Sequence, residues 1–224
     1  MTNNTLTMPL DDAILASKAL LNHASTDDIA PVIMGAAVVE HDGARYLVAS
    51  DRYSFGRFKL GAVDTFDGEP GVIIPRDALL WVSKVIPKSL RMGKNLNAKY
   101  TIRITWTSDS DVPTIRAIDV EAAILLDGAV ERSQRFDAAN GNFPPVARLW
   151  KDDLSSEEPL SAVALSHKSL LKIAADIALF EGKDKAAVNL QFRSESGNKP
   201  GPVQYSMGPA SRWTAGIQPN TLKK

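Results

Sequence analysis

An α+β fold, with mostly antiparallel sheets covered by helices on one face, is what the sequence predicts, and three observations carry that expectation. Short runs in which apolar and polar residues alternate with the period of a half-buried strand outnumber the helical stretches. Only three segments, 11–24, 77–86 and 167–180, space their apolar residues three and four apart, as one face of a helix requires. These helices do not alternate singly with strands, as a parallel α/β sheet would need. Each follows one strand-like run and precedes about three more.

The elements follow in order. Helix 11–24 carries Asp11 and Asp12 in its first turn, where the positive end of the helix dipole favours them. Ile14, Leu15, Ala19, Leu20 and Leu21 form its apolar stripe. Strands 32–40 and 45–49 flank His41-Asp42-Gly43-Ala44, because Asp-Gly tolerates the positive φ values of a tight hairpin. A third strand covers 54–60, and 61–71, rich in Gly, Asp and Pro, reads as a loop. The β-branched run 71–75 leads through Pro75-Arg76-Asp77 into helix 77–86, with Leu79, Leu80, Val82, Val85 and Ile86, and Pro87 stops it. Strands 100–107, 114–118 and 121–126 come next, and Asn140-Gly141-Asn142-Phe143-Pro144-Pro145 is a turn. The polar, acidic stretch 151–159 ends in Pro159 and reads as a linker. A strand at 160–165, helix 167–180 behind the N-cap Ser166, and strands near 187–193, 202–207 and 212–218 complete the chain.

One unit, strand, helix and about three strands, thus recurs from near residues 5, 71 and 160, as an order of elements rather than as sequence identity. At 224 residues, 44% hydrophobic and 23% charged, the chain has enough apolar surface for one large core or two modest ones. No apolar run approaches the roughly 20 residues that cross a bilayer, and Met1-Thr2-Asn3-Asn4 lacks the basic and apolar regions of a signal peptide. A cytoplasmic location is expected. The absence of cysteine excludes disulfides, iron–sulfur clusters, thiol nucleophiles and thiolate metal sites.

Net charge is zero, which argues against coating nucleic acid through overall positive charge. The charges are nevertheless segregated. Residues 1–75 hold 5 basic and 10 acidic side chains, 76–105 hold 7 and 1, 106–165 hold 5 and 11, and 166–224 hold 9 and 4. Each basic block contains a predicted helix, so one face of the folded chain could be basic and another acidic. The alternative is that this unevenness averages out in three dimensions.

No catalytic constellation is legible. His23, His41 and His167 fall in separate elements without metal-ligand spacing and read as surface or capping residues. Asp109-x-Asp111 lacks the rest of a calcium loop, and Ser50-Asp51 has neither a nearby histidine nor a nucleophile elbow. There is no phosphate-binding glycine loop. The expectation is a non-catalytic protein with no cofactor and no metal.

Three stretches carry a family resemblance. Val38-Val39-Glu40-His41-Asp42-Gly43 followed by Tyr46-Leu47-Val48-Ala49-Ser50-Asp51-Arg52-Tyr53-Ser54-Phe55 is similar to an apolar strand, an acidic turn and an Ala-Thr-Asp-Gly-x-Arg-Leu run, from which Ser50, Arg52, Ser54 and Phe55 depart. Gly71-Val72-Ile73-Ile74-Pro75-Arg76-Asp77 resembles a Val-Ile-Val-Pro-Arg-Lys helix entry. Arg135-Phe136-Asp137 through Asn142-Phe143-Pro144-Pro145 resembles an Asp-Gly-x-Phe-Pro-Asp-Tyr exit. In this order and separation they resemble the middle domain of the bacterial DNA sliding clamp, the beta subunit of DNA polymerase III. Trp213 to Asn220 is similar to that family's last strand and Met-Pro-Met end, with Pro219 kept and Gln218 and Asn220 in place of the methionines.

The resemblance implies a DNA-clamp fold of repeated half-units, with antiparallel sheets outside and helices on the DNA-facing side. It divides the chain into a complete two-half-unit domain at 1–150, a linker at 151–159, and a C-terminal half-unit or shortened second domain at 160–224. It implies a processivity factor that forms a homo-oligomeric ring around double-stranded DNA without sequence preference, docks polymerase and clamp-loader peptides, and comes from a phage or other mobile element. A ring of twelve half-units would take four such chains. The alternative is a clamp-fold adaptor or decoy that binds replication proteins without encircling DNA. The DNA-facing cations would be Arg76, Lys84, Lys88, Arg91, Lys94, Lys99, Lys168, Lys172, Lys183 and Lys185. By position, the partner-peptide pocket would use Met34, Ser50, Arg52, Tyr53, Ser54, Phe55, Leu149, Gly216, Gln218 and Pro219.

Overall fold

A computed structural model describes residues 2–62, 64–68, 71–85, 100–108, 115–124, 130–150, 163–180, 190, 194–195, 199–200, 202–207 and 212–219. Strand β1, Thr2–Pro9, runs directly into helix α1, Leu10–His23, at a proline that cannot donate to a sheet ladder. Strands β2, Ala36–His41, and β3, Ala44–Ser50, form the expected hairpin. Asp42 and Gly43 at its tip have φ of 49° and 70°, the pair of positive values that a two-residue type I′ turn demands. β2 starts later than the apolar pattern suggests. Pro31–Ile33 winds into a short 3₁₀ turn, closed by the Met34 N–H donating to the Pro31 carbonyl.

Strand β4, Ser54–Lys59, is followed by β5, Thr65–Asp67, β6, Ile73–Ile74, and helix α2, Arg76–Lys84. Then come β7, Tyr100–Ser108, β8, Ile115–Ile124, and β9, Val130–Asp137, with a 3₁₀ turn at Val146–Leu149. The C-terminal part holds helix α3, His167–Phe180, the two-residue strands β10, Ser194–Glu195, and β11, Lys199–Pro200, and strands β12, Val203–Met207, and β13, Trp213–Ile217. Ser166 caps α3 as its sequence suggests, its Oγ accepting from the Ser169 N–H at 3.1 Å. Ile86 and the linker at 151–159 lie outside the described residues.

The strands make two main antiparallel sheets, β5-β1-β7-β8-β9 and β12-β13-β4-β3-β2-β6. Two features of this order matter. β1, which precedes α1, is paired in the sheet of β7–β9, while β6, which precedes α2, is paired with β2. The first two units therefore exchange their leading strands reciprocally, and α1 and α2 pack together between them. The C-terminal strands also add to the first unit: Trp213–Ile217 of β13 pairs along β4 from Phe58 to Ser54.

One core joins all of this. Leu6, Met8, Ile102, Ile104, Trp106, Ile118 and Val120 from the five-stranded sheet meet Val38, Leu47, Phe58, Ile74, Tyr205, Trp213 and Ile217 from the six-stranded sheet around the helices. A second, smaller cluster, Tyr46, Val48, Phe55, Val146 and Trp150, covers the opposite face of the six-stranded sheet. There Arg57 stacks on Tyr46 and Trp150, at 5.0 and 4.7 Å from the ring centres.

Three departures from the sequence reading have tertiary causes. β5 lies in the stretch read as a loop, and it forms because β1 accepts it as an edge partner while Phe66 packs on Trp106, ring centres 5.7 Å apart. The expected strands 114–118 and 121–126 are one continuous β8. Asp119 stays in the ladder because Arg135 of β9 grips it with two hydrogen bonds of 2.8 and 2.9 Å. β9 itself, Val-Glu-Arg-Ser-Gln-Arg-Phe-Asp, was not expected as a strand, since an exposed edge shows almost no apolar alternation.

Candidate DNA-facing helices and partner pocket

The helices supply the first candidate surface. Arg76 opens α2 and is half-buried, while Lys84 ends it, exposed at the rim of a cleft of about 500 Å³ also lined by Trp81, Arg132 and Phe136. Lys168 is exposed in the first turn of α3. Lys172, one turn on, is differently placed. Its Nζ lies 2.6 Å from Asp51 Oδ2 and 2.7 Å from Ser54 Oγ, and the pair is largely buried. A cation neutralised in this way adds little to a phosphate-facing field. Lys88, Arg91, Lys94, Lys99, Lys183 and Lys185 lie outside the described residues.

The residues expected at the peptide pocket gather at one end of the six-stranded sheet. Met34 precedes β2, Ser50–Ser54 is the turn from β3 to β4, and Gln218-Pro219 follows β13, so sheet register alone brings them together. The turn is built on Asp51, whose carboxylate accepts from the Tyr53 and Ser54 N–H groups and the Ser54 hydroxyl. Burial pushes the Asp51 pKa up, but the hydrogen bond and charge of Lys172 together with the Ser54 hydrogen bonds outweigh it, and the net pKa lies below the ordinary value. Arg52 at the apex adopts φ 76°, where the family motif carries glycine.

The C-terminal strand is anchored here: the Gln218 N–H donates to the Tyr53 carbonyl at 2.7 Å. Gly216 faces Phe55 across the ladder so closely that a Cβ at 216 would lie 2.4 Å from the Phe55 ring. Leu149 joins on the outer face, its carbonyl accepting from Gln204 Nε2 at 2.8 Å. Of the ten residues, Ser50, Ser54, Phe55, Gly216 and Pro219 are buried, Met34 and Leu149 half-buried, and Arg52, Tyr53 and Gln218 exposed. Tyr53 is 72% exposed, whereas Phe55 is buried under Trp150 and Val146. A separate cleft of about 440 Å³ lies between β2 and 141–147 and contains none of the ten.

Sequence reasoning missed the residues that hold this junction. Asp176 of α3 is fully buried and accepts from Asn22 Nδ2 (2.8 Å), His23 Nε2 (3.0 Å), Tyr205 OH (2.9 Å) and Trp213 Nε1 (2.9 Å). Burial and the adjacent carboxylate push the Tyr205 pKa far above its ordinary value, so it remains a donor. Arg212, just before β13, joins the same junction, bonded to Asp12 (2.7 Å) and Asp64 (2.8 Å) over the Phe58 ring. The one available signal was Asp176 itself, an acid in an otherwise apolar helical stretch. Among the described residues no group of three or more His, Asp or Glu could hold a metal ion, and no helix is long and apolar enough to cross a membrane.

Reciprocally exchanged strands, two antiparallel sheets and three helices define a sliding-clamp fold. Solved structures similar to this chain include beta subunits of bacterial DNA polymerase III. That from Borrelia burgdorferi, in complex with a natural product, has a TM-score of 0.66 at 13% identity and matches 98% of this chain over 64% of its own. The C. crescentus beta sliding clamp has a TM-score of 0.61 at 14% identity over 97% and 66%. The Pseudomonas aeruginosa sliding clamp with ligand has 0.62 at 10% identity over 97% and 66%. This chain thus has the sliding-clamp fold and spans just under two thirds of the length of those clamps. No family model and no curated protein matches it in sequence.

Proposed function

We propose that this chain is a sliding clamp: a non-catalytic processivity factor that assembles with copies of itself into a ring around duplex DNA and tethers a replicative polymerase. The observation that carries this reading is the continuous six-stranded sheet. β13 of the third unit adds to β4 of the first in register over five residue pairs, with α3 laid beside α1 on the same face. A chain that extends itself edge to edge, with its helices all to one side, repeats the operation that closes a ring. Exposed Lys84 and Lys168 on that side, with the basic residues of 88–99 and 183–185, would face phosphates, which needs no base contact.

Topological retention tests it. The protein is bound to nicked circular DNA and to the same DNA linearised, and both are passed over a sizing column in 0.5 M salt. Retention on the circle with loss from the linear form is expected. Equal loss from both, together with a strictly monomeric mass by light scattering at micromolar concentration, would overturn the ring.

A second reading is supported by the filled pocket and the neutralised Lys172: a clamp-fold adaptor that binds replication proteins without encircling DNA. It predicts a monomer that captures clamp-binding peptides and is not retained on circles.

A further inference from the structure

Each helix is followed by an antiparallel run of strands: β2-β3-β4 after α1, β7-β8-β9 after α2 and β12-β13 after α3. The closing strands of these runs are β4, β9 and β13. β4 and β13 pair with one another, antiparallel over five residue pairs, with α1 packed on α3. β9 has β8 on one side and no second neighbour among the described residues. Burial records the difference. Ser54 to Phe58 of β4, paired with β13, are all buried. Arg132, Ser133, Gln134 and Arg135 of β9 are exposed in succession, and of its described side chains only Phe136 is buried.

The helix-facing side of the two strands differs in the same way. Beside β4, the Trp213 indole brought by β13 fills the space next to α1. It lies so close to Gly56 that a Cβ there would come within 2.3 Å of the ring, and its centre is 5.7 Å from that of His23. On β9 the alternating residues Arg132, Gln134 and Phe136 instead line the open cleft of about 500 Å³ against Trp81 of α2. An edge that must stay single is commonly guarded by charged side chains. Here Arg132 donates to the Val85 carbonyl at 2.9 Å and Arg135 is held by Asp119, so both cations are already engaged within their own chain.

We infer that the edge of β9 takes β9 of a second copy of the chain, antiparallel, on a two-fold axis near Ser133. The junction inside the chain shows what a closing strand accepts: another closing strand, running the opposite way. β4 and β13 occupy one another, so β9 is the closing strand left with an edge to offer, and a second copy offers the same edge. Two identical antiparallel strands are related by a two-fold axis perpendicular to their sheet, which makes the contact isologous and limits it to two chains. That axis keeps the helices of both copies on one side, as the β4–β13 junction keeps α1 with α3. Residues directly opposite then share a face, so Arg132, Gln134 and Phe136 of each copy meet the same face of the other, beside the two clefts. The inference rests on the reading that copies of this chain assemble, and it names the surface they use. Closing a ring takes a further contact elsewhere on the chain, so contact and ring can fail separately.

The absence of native cysteine makes the test clean. Ser133→Cys carries the only thiol, beside the proposed axis, and a short bismaleimide should convert it to covalent dimer. Ile29→Cys, at a position 86% exposed in the loop after α1, should stay uncrosslinked. Ser133→Asp/Gln134→Asp changes two exposed residues and sets like charges against each other across the axis. It should keep the wild-type circular dichroism and halve the mass measured by light scattering. An oligomer whose mass survives the double substitution, or Ser133→Cys that crosslinks no better than Ile29→Cys, would overturn the β9 contact while leaving the ring standing. Efficient Ser133→Cys dimers that are not retained on circular DNA would support the contact and remove the ring. A wild-type monomer would remove both.

Discussion

Arg52 sits at φ 76°, a conformation that costs an L-residue about 1 kcal/mol and glycine almost nothing. Its ion pair with Asp27, 3.8 Å long between exposed groups, offsets little of this. Arg52→Gly should therefore raise unfolding stability by about 1 kcal/mol in urea titrations. Lys172 makes the opposite case. Asp51 is held below its ordinary pKa in the folded state, so it contributes stability above the unfolded value near 3.8, lost as pH falls through the lowered folded value. Lys172→Met should cost about 2 kcal/mol at pH 7, and the gap from wild type should narrow at pH 3. A gap independent of pH would show that the side chain acts through packing alone. Only the first was legible. The motif marked Arg52 as the odd residue at a glycine position, whereas a Lys172–Asp51 pair separated by more than a hundred positions left no local trace.

At the scale of elements, α3 is fastened by a carboxylate. Tyr205→Phe removes one of four hydrogen bonds to Asp176 and should cost about 1.5–3 kcal/mol, measured by urea unfolding. Asp176→Ala strands the donors of Asn22, His23, Tyr205 and Trp213 and should cost more than about 3 kcal/mol. The helices were readable because a 3.6-residue stripe is local information. α1, α2 and α3 all start within a residue of the predicted positions. The strands were less so. β9 is an edge with one exposed face and β5 is three residues long, so each is a strand only because a neighbour hydrogen-bonds to it.

For the molecule as a whole, the C-terminal segment that carries α3, β12 and β13 is part of the fold rather than an appendage. β13 covers the edge of β4, Arg212 ties β13 to α1, and Trp213 lies in the main core. A chain ending at residue 150 should consequently expose that edge and the α1 flank. The expected result is aggregation or a high-molecular-weight elution, where the whole chain should elute as one discrete species. If the fragment is instead a stable monomer, the junction contributes less than its burial implies.

The α+β class, the three helices and the hairpin at Asp42-Gly43 could be read from the sequence alone, because each is set by residues close along the chain. The sequence also brought Ser50–Phe55 and Gly216–Pro219 into one expected pocket. Tertiary structure decided which of those side chains remain available, burying Phe55 under Trp150 and leaving Tyr53 out. It also decided that Lys172 faces a carboxylate rather than solvent, and that Asp176 is the hub of the junction. Burial and charge pairing depend on what folds over a residue, and those partners come from 29 to 154 positions away.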